Sequence, residues 1–161
     1  MQKAQSLPER SSESEHFRRG EPATGIACAL VVKERLNTLT RGVISAAIAV
    51  HHELGPGMLE SPYEACLAFE LLNRGFFVER QKSLPLVYRG HSIDCGYRID
   101  LMIERLVVVE VKAVERLERI HAAQVLSYLR LSGCTVGLLI NFNVKWLVED
   151  GVKRIVNGFP D

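Results

Sequence analysis

Apolar side chains recur at helical spacing and predict a first helix in the N-terminal half of the chain. Thr40 can cap this helix, and Gly55-Pro56-Gly57 ends it. The positions that would face a core are Val43, Ile44, Ala47, Ile48 and His51. Their spacing is that of one helix face, so the pattern predicts an amphipathic helix between these two signals.

A second helix is predicted from about Leu59 to Asn73, before Gly75. Ser61 and Glu64 fit a capping box with Pro62 in the first turn, and a start at Leu59 fits equally well.

The pattern then changes to runs rich in β-formers, separated by turn residues such as Arg89-Gly90. The predicted strands are Phe76–Arg80, Leu84–Tyr88, Gly96–Ile103 and Leu106–Val114. A third helix over about 115–131 ends at Gly133, and Cys134–Ile140 is an apolar run typical of a buried strand. The order α-α-β-β-β-β-α-β predicts a small α/β domain with a mixed sheet, followed by a mixed tail without an assigned element.

The N-terminal segment is patterned differently. Residues 1–24 carry Ser, Glu, Arg and Pro without periodicity, which predicts a flexible tail. Residues 25–36 fit either a short helix or an upstream extension. We therefore expect a tail or extension over residues 1–36 and one domain over 37–161.

Composition excludes several classes of protein. Hydrophobic residues make up 47% and charged residues 24% of the 161 residues, which argues against global disorder. The net charge of +1 argues against a strongly basic protein that coats nucleic acid, although a local basic patch remains compatible with it. The four cysteines form no CxxC pair, so we expect reduced, mostly buried thiols rather than a zinc site. No apolar run is long enough to span a bilayer, and we expect a soluble, cytoplasmic protein.

Charged residues inside two apolar strands are the clearest chemical signal. Asp100 lies in one predicted strand, and Glu110 and Lys112 interrupt the next. Because side chains alternate along a strand, Glu110 and Lys112 share a face. A turn centred on Arg105 would place Asp100 directly opposite Glu110.

Two carboxylates beside an ammonium suit a divalent cation such as Mg²⁺ or Mn²⁺, with the lysine orienting a water or stabilising an oxyanion. An equally simple interpretation is a partly buried ion pair in an edge hairpin. The spacing alone leaves both open.

Asp100 followed by Glu110-Val111-Lys112 resembles the D-x(n)-E-x-K hairpin of the PD-(D/E)XK nuclease superfamily. The segment from Gly57 to Tyr63, GMLESPY, is similar to the G-x-x-E-x-x-Y signature of the GxxExxY family within it. The resemblance covers about residues 38–156. One departure is Ile99, which stands where the Pro of the superfamily's name would be, as in many members.

The resemblance implies a restriction-endonuclease-like core of αβββαβ order and a set of site residues. The implied catalytic residues are Glu60, Asp100, Glu110, Lys112 and Gln124. The implied metal ligands for Mg²⁺ or Mn²⁺ are Asp100, Glu110, Glu60 and the backbone carbonyl of Val111. Tyr128 completes a Q-x-x-x-Y helix motif with Gln124, and His121 and Arg116 are further candidates for supporting the site or the nucleic acid.

Other polar residues have simpler interpretations. His51 and His52 suit the negative end of a helix, and Tyr63 is expected to pack with a hydrogen-bonded hydroxyl. Asn141 and Asn143 are expected in a loop or turn. Arg116, Arg119 and Arg130 are by default solvated helix charges, with phosphate contact as an alternative for this group.

The leading hypothesis is metal-dependent hydrolysis of phosphodiester bonds in nucleic acid, with DNA favoured over RNA by analogy with the superfamily. The alternatives are a non-catalytic module that binds nucleic acid or protein, and an enzyme for small phosphate esters, which would need a narrow closed pocket. Many related nucleases work as dimers, so a homodimer is a further expectation, although the sequence leaves the oligomeric state open.

Overall fold

A computed structural model of the protein describes residues 25–94 and 96–158. The helices are α1 (Gly25–Leu54), α2 (Glu60–Asn73) and α3 (Arg119–Ser132). The strands are β1 (Val78–Ser83), β2 (Leu86–Tyr88), β3 (His91–Ile93), β4 (Arg98–Ile103), β5 (Val107–Lys112), β6 (Val136–Asn141) and β7 (Val152–Val156). A short π-helix, Leu147–Gly151, precedes β7. None of the helices in these two ranges is long and apolar enough to cross a membrane.

Five strands form one mixed sheet in the order β1-β4-β5-β6-β7. The central strand β5 pairs antiparallel with β4 and parallel with β6. Strands β2 and β3 form a separate hairpin. Pairs such as Leu101 with Val109 and Ile103 with Val107 are symmetrical about Arg105, so the predicted register of the β4–β5 hairpin is confirmed.

Alternation along the sheet produces two cores. Val107, Val109 and Val111 of β5 pack with α1 and α2 on one face, while Val108 packs against α3 on the other. Gly137 of β6 lets α3 approach closely, since a Cβ there would lie 2.6 Å from Val125 Cγ1. The sheet is therefore covered on both faces, and its edges and ends are the places left for polar chemistry.

The first helix differs from the prediction at its N-terminus. Residues 25–36 are helical and continuous with the rest of α1, and Leu36 is buried. Thr40 lies inside this helix, where its hydroxyl donates to the carbonyl oxygen of Asn37 (3.1 Å), so its predicted role as the helix cap is wrong. The buried stripe extends N-terminally through Leu39 and Leu36, and burial of these leucines explains why the helix continues. The predicted tail over residues 1–24 lies outside the described residues.

Further predicted boundaries also shift. Helix α2 is preceded by Leu59 as its N-cap, without a side-chain cap, so the capping box at Ser61 is wrong and the alternative start is confirmed. Helix α3 begins at Arg119 rather than near residue 115, after a capping box between Glu118 and His121. Strands β3 and β7 were not predicted.

The cysteine prediction is only partly confirmed. Cys28, Cys66 and Cys134 are free thiols, as expected, but Cys134 alone among these three is buried. Cys95 lies outside the described residues.

Candidate active site at the open end of the β4–β5 hairpin

The structure brings Asp100, Glu110 and Lys112 together at the open end of the hairpin. The β4–β5 pairing continues only as far as Leu101 with Val109, and the charged residues follow directly beyond it. Glu110 and Lys112 follow Val108 in the strand's alternation, so they belong to the α3 side of the sheet. The carboxylates and the lysine are thus brought together by strand geometry, as the sequence predicts.

Asp100 is held through both of its carboxylate oxygens. Oδ2 accepts a hydrogen bond from the backbone nitrogen of Val111 (2.9 Å), across the hairpin. Oδ1 accepts a longer one from Nε2 of Gln81 (3.3 Å) on β1. Burial raises the pKa of Asp100, and the nearby charge of Glu64 raises it further, although the Val111 hydrogen bond opposes this.

Glu110 is almost completely buried, with 2% of the residue exposed. Its Oε1 accepts a hydrogen bond from Nζ of Lys112 (2.6 Å), and its Oε2 is buried with no partner among the described residues. Burial, followed by repulsion from Asp100, raises the pKa of Glu110 to about 7. A buried carboxylate oxygen without a partner is costly, and such sites are commonly completed by a cation or an ordered water.

Lys112 forms a close ion pair with Glu110, with 13% and 3% of the two side chains exposed. Burial lowers the pKa of Lys112, but the hydrogen bond and charge of Glu110 outweigh it, so the pKa is raised. The ion-pair interpretation of this hairpin is therefore also realised in the structure. The ion pair satisfies Oε1 of Glu110, but Oε2 has no partner among the residues that the structure describes.

Glu60 lies at the first position of α2 and is exposed. Its negative charge contributes to raising the pKa values of both Glu110 and Lys112. However, within residues 25–94 and 96–158 no three His, Cys, Asp or Glu side chains form a group that could hold a metal ion. Asp100 and Glu110 are thus a two-carboxylate set, and the metal-binding role of Glu60 stays a prediction.

The two-carboxylate set nevertheless fits a hard divalent cation. Mg²⁺ commonly uses one or two carboxylates and keeps several water ligands. The donor atoms are oxygens, and one of them, Oε2 of Glu110, is buried and lacks a partner in residues 25–94 and 96–158. The role of the Val111 carbonyl as a further ligand stays a prediction.

Gln124 and Tyr128 stand one turn apart on α3, as predicted, and Nε2 of Gln124 donates to the Tyr128 hydroxyl (2.6 Å). Burial raises the pKa of Tyr128, and the charges of Glu110 and Asp100 add to this effect. The Tyr128 hydroxyl therefore lies close enough to both carboxylates to interact with their charges. Tyr97, with 42% of its surface exposed, meets the Tyr128 ring edge-on, with 6.0 Å between ring centroids.

His121 and Arg116 belong to a different cluster, around the start of α3. Nδ1 of His121 accepts a hydrogen bond from the backbone nitrogen of Glu118 (3.0 Å) as part of the capping box. Arg116 pairs with the Glu118 carboxylate (2.6 Å) and is 82% exposed. With Val114 and Glu115 these residues line an open cavity of about 600 Å³. Their present contacts are structural, and their roles with nucleic acid stay predictions.

The simpler interpretations have mixed outcomes. Tyr63 is fully buried, stacks on Phe142 and donates to the Gly55 carbonyl (2.6 Å), which confirms its packing role. His51 and His52 lie in the last turn of α1, as predicted, and Nε2 of His51 also lies 2.8 Å from the carbonyl oxygen of Val144, which joins α1 to the segment after β6.

Asn141 is a strand residue rather than a loop residue. It ends β6, is 1% exposed, and binds both the nitrogen and the carbonyl oxygen of Val114 through its amide. This fixes the chain as it leaves β5, two residues after Lys112.

Glu64 and Gln81 also contribute to the site, although neither was predicted as a site residue. Glu64 is buried in α2, where Arg80 and Gln81 donate to its two carboxylate oxygens. Glu64 follows Tyr63 and lies about one helical turn before Leu67, so it is an acid on the apolar stripe of α2. This unusual position could have indicated a functional role. Gln81 gave no comparable signal, because a polar residue in an edge strand is ordinary.

The comparison with protein-family models gives a match. A family model of the PD-(D/E)XK nuclease superfamily matches residues 37–155, which is most of the chain. No curated protein and no solved structure matches it. The mixed five-stranded sheet flanked by helices is consistent with the restriction-endonuclease-like fold, so the predicted fold class is confirmed. With the acidic pair and the lysine assembled at the end of its central hairpin, the chain belongs to the PD-(D/E)XK nuclease superfamily.

Proposed function

We propose that this protein is a metal-dependent nuclease of the GxxExxY group within the superfamily. The local structure gives each signature residue a reason for its identity. Gly57 has φ +106°, which favours glycine, and Glu60 begins α2. The Tyr63 hydroxyl accepts from the Met58 nitrogen (3.2 Å) and donates to the carbonyl oxygen of Gly55. The signature thus forms a compact entry into α2 that presents Glu60.

The observation that carries the proposal is Oε2 of Glu110, at the site it shares with Asp100, which is buried and has no partner within the described part of the chain. A cation at this position would satisfy that oxygen and offset the repulsion between the two carboxylates. Asp100 and Glu110 would hold Mg²⁺ or Mn²⁺, assisted by the carbonyl of Val111 and by Glu60. Such a cation supplies positive charge against a phosphate oxygen and makes a neighbouring water easier to deprotonate.

The chain's own residues then orient the reaction. Lys112 donates to Glu110 and, when that carboxylate binds a cation, directs its ammonium to the attacking water or to the developing negative charge. Gln124 and Tyr128 support the site from α3. The water loses a proton to solvent as its oxygen bonds to phosphorus, one ester P–O bond breaks, and the leaving oxygen is protonated.

Nucleic acid is the proposed substrate, with DNA favoured over RNA by the superfamily analogy. Glu60, Leu59, Ser61 and Ala113 line an open cavity of about 460 Å³ beside the end of β5, which suits a polymer better than the narrow pocket expected for a small phosphate ester. Exposed Arg98 lies two residues before Asp100 and offers a positive charge for phosphate. A cytoplasmic location and a homodimer stay predictions.

A non-catalytic binding module is the second candidate. The observation in its favour is the close Glu110–Lys112 ion pair, which stabilises the buried carboxylate without a metal. In that case the site would be a structural remnant of the nuclease fold.

Cleavage assays separate the two candidates. Single- and double-stranded DNA and RNA are incubated with the full chain in Mg²⁺, Mn²⁺ or EDTA. We expect metal-dependent cleavage that Glu110→Gln abolishes, because this variant removes a metal ligand while keeping the side chain's shape. Glu149→Gln, the same substitution at an exposed residue of the π-helix, serves as the matched control and should cleave normally. Absence of cleavage on every substrate would favour the binding module.

A further inference from the structure

The pairing of β1 with β4 is interrupted opposite the site. Arg80 pairs with Leu101 and Lys82 pairs with Ile99, but Gln81 and Asp100, which face each other between these pairs, do not. Gln81 has φ +49°, in the left-handed region that residues other than glycine rarely adopt. An edge strand therefore holds an unfavourable backbone conformation at the residue opposite Asp100. Such conformations persist where the surroundings hold them, and they are frequent at functional sites.

This backbone conformation has a consequence for two side chains. In a regular strand, consecutive residues point to opposite faces of the sheet. Here, Nε of Arg80 donates to Oε1 of Glu64 (3.1 Å), while Nε2 of the next residue, Gln81, donates to Oε2 of the same carboxylate (2.7 Å). The left-handed conformation of Gln81 thus allows two consecutive residues, Arg80 and Gln81, to contact the same buried carboxylate, Glu64 on α2.

The same amide nitrogen of Gln81 also reaches the site. It donates to Oδ1 of Asp100 (3.3 Å), whose Oδ2 accepts from the Val111 nitrogen. Both oxygens of Asp100 are therefore restrained, one from β5 and the other from β1. The buried Glu64 fixes the amide that provides the second restraint.

The chemistry of the amide suits this position. Gln81 places a neutral donor between two carboxylates, so it restrains Asp100 without cancelling the negative charge that would attract a cation. A lysine or arginine there would donate equally well but would compete with a metal ion.

We propose that Gln81 is a positioning residue that orients the Asp100 carboxylate for cation binding, with Glu64 as its buried anchor. This inference rests on the proposed function, since it assumes that Asp100 binds a metal. Outer hydrogen-bond partners of metal-binding side chains typically change metal affinity or activity by about 10–100-fold when they are removed. The competing explanation is that Arg80, Gln81 and Glu64 only attach α2 to β1.

Gln81→Gly tests the proposal against Arg89→Gly. Arg89 has the same φ of +49° but lies in the β2–β3 turn, so the control matches the change in backbone freedom. Mn²⁺ binding is measured by calorimetry on the full chain without nucleic acid, and thermal unfolding confirms that each variant is folded. We expect Gln81→Gly to weaken Mn²⁺ binding by about tenfold or more. Arg89→Gly should bind like the wild type. In cleavage assays, kcat should fall for Gln81→Gly with little change in KM.

The outcomes are distinguishable. Equal Mn²⁺ affinity of Gln81→Gly and Arg89→Gly would overturn the positioning role and leave the proposed nuclease intact. A wild type that binds Mn²⁺ but cleaves nothing would contradict the nuclease proposal, while the affinity comparison would still decide the role of Gln81. A wild type that binds no Mn²⁺ would overturn both. If Gln81→Gly fails to fold, Gln81→Met, which keeps the length of the side chain and removes the amide, is compared instead with Arg89→Met.

Discussion

The two ends of the β4–β5 hairpin use the same two strands for different purposes. At the turn end, Ile103 and Val107 are fully buried in the core shared with α1 and α2. At the open end, Glu110 is still buried while Asp100 and Lys112 are half-buried, and one carboxylate oxygen of Glu110 has no partner among the described residues. Apolar burial at the turn end fixes the register, and that register assembles the charged residues at the other end. Stability and chemistry are thus separated along one hairpin.

The largest expected effect comes from weakening the turn end. Ile103→Ala removes a fully buried side chain and should leave a cavity, with a loss of about 4 kcal/mol in the free energy of unfolding. Urea denaturation followed by circular dichroism measures it. A loss below about 1 kcal/mol would show that this end is not the stabilising part of the hairpin.

At the open end we expect the opposite effect: removing the carboxylate of Glu110 should stabilise the protein, and the size of this effect should depend on pH. In the metal-free protein burial raises the pKa of Glu110 to about 7 from an ordinary 4.5, so the folded state keeps a proton that the unfolded state loses. The contribution of Glu110 to the free energy of unfolding is fully present below its pKa in the unfolded state and is lost as the pH rises towards 7. The total loss is about 3 kcal/mol for this shift.

Glu110→Gln removes this titration. Urea midpoints at about pH 5 and about pH 8 should show a wild type that loses stability relative to the variant as pH rises. Added Mn²⁺ should restore stability to the wild type at the higher pH but not to the variant. If Glu110→Gln is instead the less stable protein at the higher pH, the Glu110–Lys112 pair is a structural ion pair.

The comparison also shows which parts of the molecule could be predicted from sequence. Period-two alternation about Arg105 is a local property of the two strands, and it was sufficient to place Asp100, Glu110 and Lys112 together. The α/β class with a mixed sheet followed from the order of such periodic segments, whereas the restriction-endonuclease-like core was implied by the resemblance to the superfamily. The start of α1 was predicted wrongly at Thr40, because threonine is a common helix cap while the apolar stripe of the helix in fact continues to Leu36.

The remaining errors have a different physical origin. The left-handed backbone of Gln81 breaks the alternation on which strand prediction depends, so its contact with Glu64 could not be read from spacing. Strand β7 is a half-exposed edge strand that pairs with β6, and its existence depends on that tertiary pairing more than on its own pattern. The metal-binding role of Glu60 stays a prediction, because an exposed acid at a helix start has the same pattern whether or not it binds a metal.

The smallest expected effect on stability concerns the exposed cluster beyond the open end. Arg116→Ala breaks an ion pair whose side chains are 82% and 52% exposed, and the free energy of unfolding should change by less than about 0.5 kcal/mol. If Arg116 contacts phosphate, nucleic-acid binding should weaken and the slope of log K against log salt should decrease by about one. Fluorescence anisotropy over a salt series measures both quantities.

Arg130→Ala provides the matched control for this prediction, because Arg130 is also exposed but lies in the last turn of α3, away from the start of the helix. Its slope should equal that of the wild type. Equal slopes for Arg116→Ala and Arg130→Ala would mean that Arg116 serves only the helix start. A smaller slope for Arg116→Ala alone would place the nucleic-acid backbone beside the N-terminus of α3. The nucleic-acid contacts of the site would then reach from the ends of β4 and β5 to the start of that helix.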